Sequence, residues 1–136
     1  MLSLFTDGGA RGNPGPAAYG VFIRDDKKTL AAFGSHIGNA TNNVAEYQAV
    51  IEALRWLKNH SDVLAKHEEI TLFLDSELVC RQLQGMYKVK NETLKELFAT
   101  AFALLKTIEK PIVITHIPRE KNKEADKQVN NALDVL

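Results

Sequence analysis

The chain opens on a short apolar run, Leu2, Leu4 and Phe5, that predicts a strand ending at Asp7. A stretch dense in glycine and proline, Gly8 to Pro16, follows; it lies too near the start to link two domains and reads as a loop inside the fold. Tyr19 to Arg24 and Leu30 to Ile37 are rich in aromatic and branched residues, and Asp25-Asp26-Lys27-Lys28 between them predicts a hairpin turn. From Asn42 to about Asn59 the positions Val44, Tyr47, Ile51, Leu54 and Leu57 recur at three- and four-residue spacing, one face of a helix that Thr41 or Asn42 can cap. Glu69 to Asp75 is nearly continuous in apolar residues and reads as a strand buried on both faces, closed by Asp75. A short helix from Ser76 to Gln84 stops at Gly85, and a long amphipathic helix from Asn91 to Ile108 is ended by Lys110-Pro111. A strand from Ile112 to Ile117 and a last helix from Lys121 complete the chain. The order βββαβααβα predicts an α/β architecture: a five-stranded mixed sheet that starts as an antiparallel meander and continues through helical crossovers.

Composition narrows the class. A chain of 136 residues is the size of one domain, and 45% hydrophobic residues support a core without disulfides. The single cysteine, Cys80, cannot pair internally, and no Cys/His cluster has zinc-ligand spacing. With 17 basic against 17 acidic residues the formal net charge is zero, which excludes a protein held on nucleic acid by bulk electrostatics; any such contact must be local. No stretch approaches the roughly 20 apolar residues of a membrane span, and the first residues lack the pattern of a signal peptide. The expectation is a cytoplasmic, monomeric protein with no membrane partner.

The candidate chemistry lies in four carboxylates. Asp7 and Asp75 end strands that otherwise look like core, Glu46 lies in the first turns of the Asn42 helix, and Asp126 lies in the last helix. Each alone has a plain structural reading: a turn or cap residue for the aspartates, a favourable charge at a helix start for Glu46, one more surface acid for Asp126. Two strand ends and two helix beginnings can bring four acids to one sheet edge only if cations offset their repulsion. Magnesium suits a few carboxylates plus water and phosphate oxygen, and two such ions roughly 4 Å apart promote in-line phosphodiester hydrolysis.

The residues around these acids carry a resemblance. Asp7-Gly8-Gly9-Ala10-Arg11-Gly12-Asn13-Pro14-Gly15-Pro16-Ala17-Ala18-Tyr19-Gly20 resembles the opening signature of the type 1 ribonuclease H family. Thr41-Asn42-Asn43-Val44-Ala45-Glu46 is similar to its second block, Asp75-Ser76 to its third, and Arg119-Glu120-Lys121-Asn122-Lys123-Glu124-Ala125-Asp126 to its fourth, in the family's order. The resemblance implies a ribonuclease H-like fold and a single catalytic domain over residues 1–136. It implies that Asp7, Glu46, Asp75 and Asp126 hold two Mg²⁺ ions with substrate bound, Mn²⁺ being a substitute. The implied activity is endonucleolytic hydrolysis of the RNA strand of an RNA/DNA hybrid, leaving 5'-phosphate and 3'-hydroxyl ends. Gly12, Asn13, Thr41, Asn42, Asn43, Ser76, Glu77, Lys88 and Lys90 are the implied substrate contacts. Backbone approach at Gly12 and Asn13 would make recognition independent of base sequence, the 2'-hydroxyl being what tells RNA from DNA. Thr41 to Asn43 offer donors at a helix N-terminus, a ready phosphate site.

Three features depart from the bacterial pattern. The stretch Gln84 to Lys95 is short and lacks the basic helix by which many members grip the hybrid, leaving Lys88 and Lys90 as the local positive cluster. Glu77 stands where relatives often carry glutamine. The loop that holds a mobile histidine in relatives is short, so His116 is expected in the strand and Arg119 in the loop position as a catalytic residue. This compact form resembles archaeal and Gram-positive members, some of which also cut double-stranded RNA. The alternatives are a duplex-binding protein of the same fold with little or no catalysis, and a nuclease that accepts double-stranded RNA as well.

Overall fold

The computed structural model describes residues 1–135. Its strands are β1 (Leu2–Ala10), β2 (Gly15–Arg24), β3 (Thr29–Ala40), β4 (Ile70–Leu74) and β5 (Ile112–His116). Its α-helices are α1 (Asn42–Asn59), α2 (Ser61–Ala65), α3 (Glu77–Leu83), α4 (Glu92–Thr107) and α5 (Lys123–Asp134), with a 3₁₀ turn at Arg119–Lys121 before the last. The strands form one sheet in the order β3-β2-β1-β4-β5, antiparallel through β3, β2 and β1 and parallel from β1 to β5. The mixed sheet expected from the element order is present.

Alternation along β1 and β4 assigns the two faces. Leu2, Leu4, Ile70, Leu72 and Leu74 point to one side with Val21 and Ile23 of β2, where Tyr47, Val50, Ile51, Leu54 and Leu57 of α1 close the main core and α4 adds Leu94. On the other side α5 packs over β1, β2 and β3, burying Val129 and Leu133 against Ala18. Among the described residues no helix is long and apolar enough to cross a membrane.

Several boundaries differ from the pattern reading. Strand β1 does not stop at Asp7 but continues to Ala10, because Asp7 to Ala10 pair with Gly20 to Ala17 of β2; the expected loop Gly8 to Pro16 shrinks to the turn between Ala10 and Gly15. Strand β4 is fully buried on one face only. Its other face presents Thr71 and a half-buried Phe73 that stacks on Phe5 of β1 at 4.8 Å. The five-residue α2 was not expected: it has no buried residue, so there was no apolar stripe to read. Helix α3 begins after Ser76, whose hydroxyl caps it by accepting from the Val79 amide at 3.3 Å. Helix α5 begins at Lys123, since the 3₁₀ turn takes up Lys121. Cys80 is buried in the core packing.

Candidate active site

The site lies where β1 stops pairing with β4. The parallel register runs from Leu2 opposite Ile70 to Thr6 opposite Leu74, and the next residue on each strand is a carboxylate, Asp7 and Asp75. Both therefore emerge side by side at a fork in the sheet. With Ser76 capping α3, the capping role that would explain Asp75 is already filled.

Two glycines let helices bring in the other acids. A Cβ on Gly8 would stand 2.2 Å from the Ala45 carbonyl carbon, so only a bare α-carbon lets α1 sit down on β1 and carry Glu46 to Asp7. A Cβ on Gly20 would stand 2.2 Å from the Ala125 carbonyl oxygen, and its absence seats α5 on β2, with Asp126 next in sequence. Thr41 caps α1, its hydroxyl accepting from the Val44 amide at 3.3 Å.

Asp7, Glu46 and Asp75 each offer an oxygen within 4.8 Å of the others. Asp126 lines the same cleft outside that tight group, one oxygen accepting from Asn130 Nδ2 at 3.2 Å. Asp7 and Glu46 are only 7% and 6% exposed, and Glu46 Oε2 is buried with no hydrogen-bond partner. Burial, and after it the charge of Asp75, push the Asp7 carboxyl up to about 8. Burial, then the charges of Asp7 and Asp75, hold Glu46 well above the usual carboxylate range, against a lowering backbone hydrogen bond from Gly8. Without a cation Asp7 keeps its proton at neutral pH. Three oxygen donors, one of them orphaned, fit a hard divalent ion that would displace that proton.

The cleft above the acids has a volume of about 440 Å³ and is lined by polar groups, among them Asn42, Asn43, Ser76 and Arg119. Asn13 and Asn42 are tied to the backbone by their carbonyl oxygens: Asn13 Oδ1 accepts from the Asn42 amide at 2.9 Å, and Asn42 Oδ1 from the Ala10 amide at 2.8 Å. Their side-chain NH₂ groups remain as donors. Gly12, Asn13 and Thr41 stand at the rim rather than in the cleft lining. Glu77, Lys88 and Lys90 lie outside the lining as well: the Glu77 carboxylate is 3.8 Å from Arg81, and the two lysines are exposed on the connector from α3 to α4. His116 ends β5, its Nε2 3.2 Å from the Asp75 carbonyl oxygen, whereas Arg119 reaches the cleft. Pattern reading missed Asn122, which touches Asp75, and Asn130; only the position of Asn122 inside the fourth block could have marked it.

A family model described as reverse transcriptase-like matches residues 5–132. The solved structure of LC11-RNase H1, isolated from compost by a metagenomic approach, superposes with a TM-score of 0.92 at 50% identity, covering 99% of this chain and 96% of that one. The chain belongs to the type 1 ribonuclease H family. LC11-RNase H1 has also been solved in complex with an RNA/DNA hybrid, and that structure matches with a TM-score of 0.92 at 48% identity, over 99% and 98% of the two chains. The ribonuclease HI of Halobacterium salinarum is 40% identical over 134 residues, 98% of this chain and 64% of the relative. The bifunctional protein Rv2228c of Mycobacterium tuberculosis is 41% identical over 130 residues, 94% of this chain but 34% of the relative. The ribonuclease H chain described here thus spans about a third of the mycobacterial proteins it matches and 64% of the halobacterial one.

Proposed function

We propose that residues 1–136 act as one catalytic domain, a metal-dependent endonuclease that hydrolyses the RNA strand of RNA/DNA hybrids. The observation that carries this reading is the convergence of Asp7, Glu46 and Asp75 within 4.8 Å at the floor of a polar cleft. The hybrid bound by LC11-RNase H1, at 48% identity, supports the substrate. Asp7, Glu46, Asp75 and Asp126 hold two Mg²⁺ ions when substrate is bound, with Mn²⁺ as a substitute. Such ions supply activation of a water and stabilisation of the leaving oxygen. The water oxygen bonds to phosphorus as the bond to the 3'-oxygen breaks, leaving 5'-phosphate and 3'-hydroxyl ends.

The protein's own groups position the strand. Asn13 and Asn42 have spent their carbonyl oxygens on backbone amides, so what they offer is N–H. The 2'-hydroxyl oxygen and the minor-groove acceptors common to all base pairs match that polarity, so the cleft reads ribose and not sequence. Asn43 and Ser76 add donors beside the acids, and Gly12 and Thr41 hold the rim that presents them. Arg119 places a permanent cation over the cleft, suited to the phosphate freed on cleavage. Lys88 and Lys90 meet phosphates of the DNA strand outside it, and Glu77, held toward Arg81, stays at the margin.

Gel-resolved cleavage of matched RNA/DNA, RNA/RNA and DNA/DNA duplexes at low salt, with Mg²⁺, with Mn²⁺ and with chelator, tests the proposal. Metal-dependent cutting of the RNA strand of the hybrid is expected; additional cutting of RNA/RNA would widen the substrate range. Retention of the hybrid without cutting in either ion would overturn the nuclease in favour of a duplex-binding protein.

A further inference from the structure

Asn122 joins the 3₁₀ turn to α5 and is 1% exposed. It occupies the cap position of α5 but makes no side-chain cap. The side chain turns inward instead. Nδ2 donates to the Thr6 carbonyl oxygen at 2.8 Å and to Asp75 Oδ2 at 2.9 Å. Both neighbours are pure acceptors, so the amide has one workable orientation: turning it over would set oxygen against oxygen at both contacts. Oδ1 is left buried without a partner. The fold tolerates an unsatisfied carbonyl here, which packing alone would not favour.

The backbone of the same residue reaches the rest of the site. The Asn122 amide donates to the Arg119 carbonyl oxygen at 2.9 Å, and its carbonyl accepts from the Asp126 amide at 3.1 Å. One residue therefore contacts Asp75 directly, Asp7 through the adjoining Thr6, and the segments that present Arg119 and Asp126. It stands in the fork where the next rung between β1 and β4 would have been.

We infer that Asn122 is a positioning residue for the metal centre: its amide fixes Asp75 Oδ2 against the end of β1 and so holds the carboxylates at ion-binding separation. The inference rests on the metal-dependent reading of the carboxylate cluster. A donor behind a metal-binding carboxylate removes its rotational freedom, and loss of such outer-shell partners typically costs about 10- to 100-fold in metal affinity. Metal binding is then weakened more than hybrid binding, because Asn122 is sealed from the cleft.

Mn²⁺ binding by calorimetry, with Tm measured in chelator and in metal, tests the assignment on wild type, Asn122→Ala and a remote core variant, Leu57→Ala. Asn122→Ala is expected to weaken Mn²⁺ binding about tenfold, shrink the metal-induced rise in Tm, and raise the Mg²⁺ needed for half-maximal cleavage with KM for the hybrid unchanged. Leu57→Ala should lower Tm without moving Mn²⁺ affinity. Unchanged affinity in Asn122→Ala alongside a lowered Tm would make Asn122 a purely structural residue. If that variant does not fold, wild type alone decides: in an NMR titration with Mg²⁺ the Asn122 side-chain amide should shift together with the Asp75 backbone amide, and a static Asn122 pair beside a moving Asp75 would overturn the assignment. Wild type that binds neither ion would instead refute the metal-dependent reading itself.

Discussion

At the residue scale, Asp7 and Asp75 stood out because Asp is a poor strand residue and both follow strands that otherwise read as core, whereas Glu46 and Asp126 were marked by the family resemblance. What pattern could not supply was rank. The structure separates a close triad, two of whose members are buried, from Asp126, and the separation arises from where α1 and α5 touch the sheet. Asp7 also sets a pH dependence. Its native carboxyl titrates near 8, against 3.8 ordinarily, so between these values the native metal-free protein holds a proton that the unfolded chain has released. Stability is then fully present below about pH 4 and is lost as pH rises toward 8. Asp7→Asn should abolish cleavage yet stabilise the metal-free protein at pH 8, measured by denaturant unfolding in chelator across pH. A variant no more stable than wild type at pH 8 would contradict the buried, protonated Asp7. Arg119 is the second test at this scale: Arg119→Ala should lower kcat about 10- to 100-fold with KM within about twofold. Equal losses in kcat and KM in steady-state assays would reduce Arg119 to a binding contact.

At the scale of elements, the strands were readable from runs of apolar, aromatic and branched residues and the long helices from three- and four-residue spacing. The misplaced strand ends have a shared cause: tertiary pairing extends a strand past the point where its own residues favour it. Gly8 and Gly9 are poor strand formers, yet they lie in β1 because β2 pairs with them. Helix α2 escaped notice because it is five residues long and has no fully buried residue. The seating of α5 on Gly20 yields a prediction that no local pattern would give. Gly20→Ala puts a methyl group into the Ala125 carbonyl and should destabilise the protein by about 3 kcal/mol. Cleavage in that variant should fall even at temperatures where it stays folded, because Asp126 moves with the helix. Unchanged activity in the folded variant would disconnect α5 from the site.

For the whole molecule, neutrality was legible at once and its consequence is quantitative. With no overall positive field and no basic helix after α3, the proposed hybrid binding would rest on a few local cations. Affinity should fall with salt, and replacing Lys88 and Lys90 together by alanine should flatten the log–log salt slope by about two while weakening all hybrid sequences alike. Filter binding at several ionic strengths measures both; an unaltered slope would place the two lysines away from phosphate. The chain's partial coverage of longer relatives has no counterpart in its own pattern of residues, since nothing in a domain's sequence encodes what its relatives are joined to.

Past Thr6 the edge of β1 that faces β4 has no strand beside it. Side chains occupy that edge: Asn122 on the Thr6 carbonyl and Asn42 on the Ala10 amide. Sheet closure at this edge thus depends on side chains of the site, and the fork is sealed only while Asn122 and Asn42 stay in place. Hydrogen exchange at Ala10 accordingly clocks the opening of the α1 N-terminus, not of the sheet: its amide should exchange faster in Asn42→Ala while those of Leu2 and Leu4 stay protected.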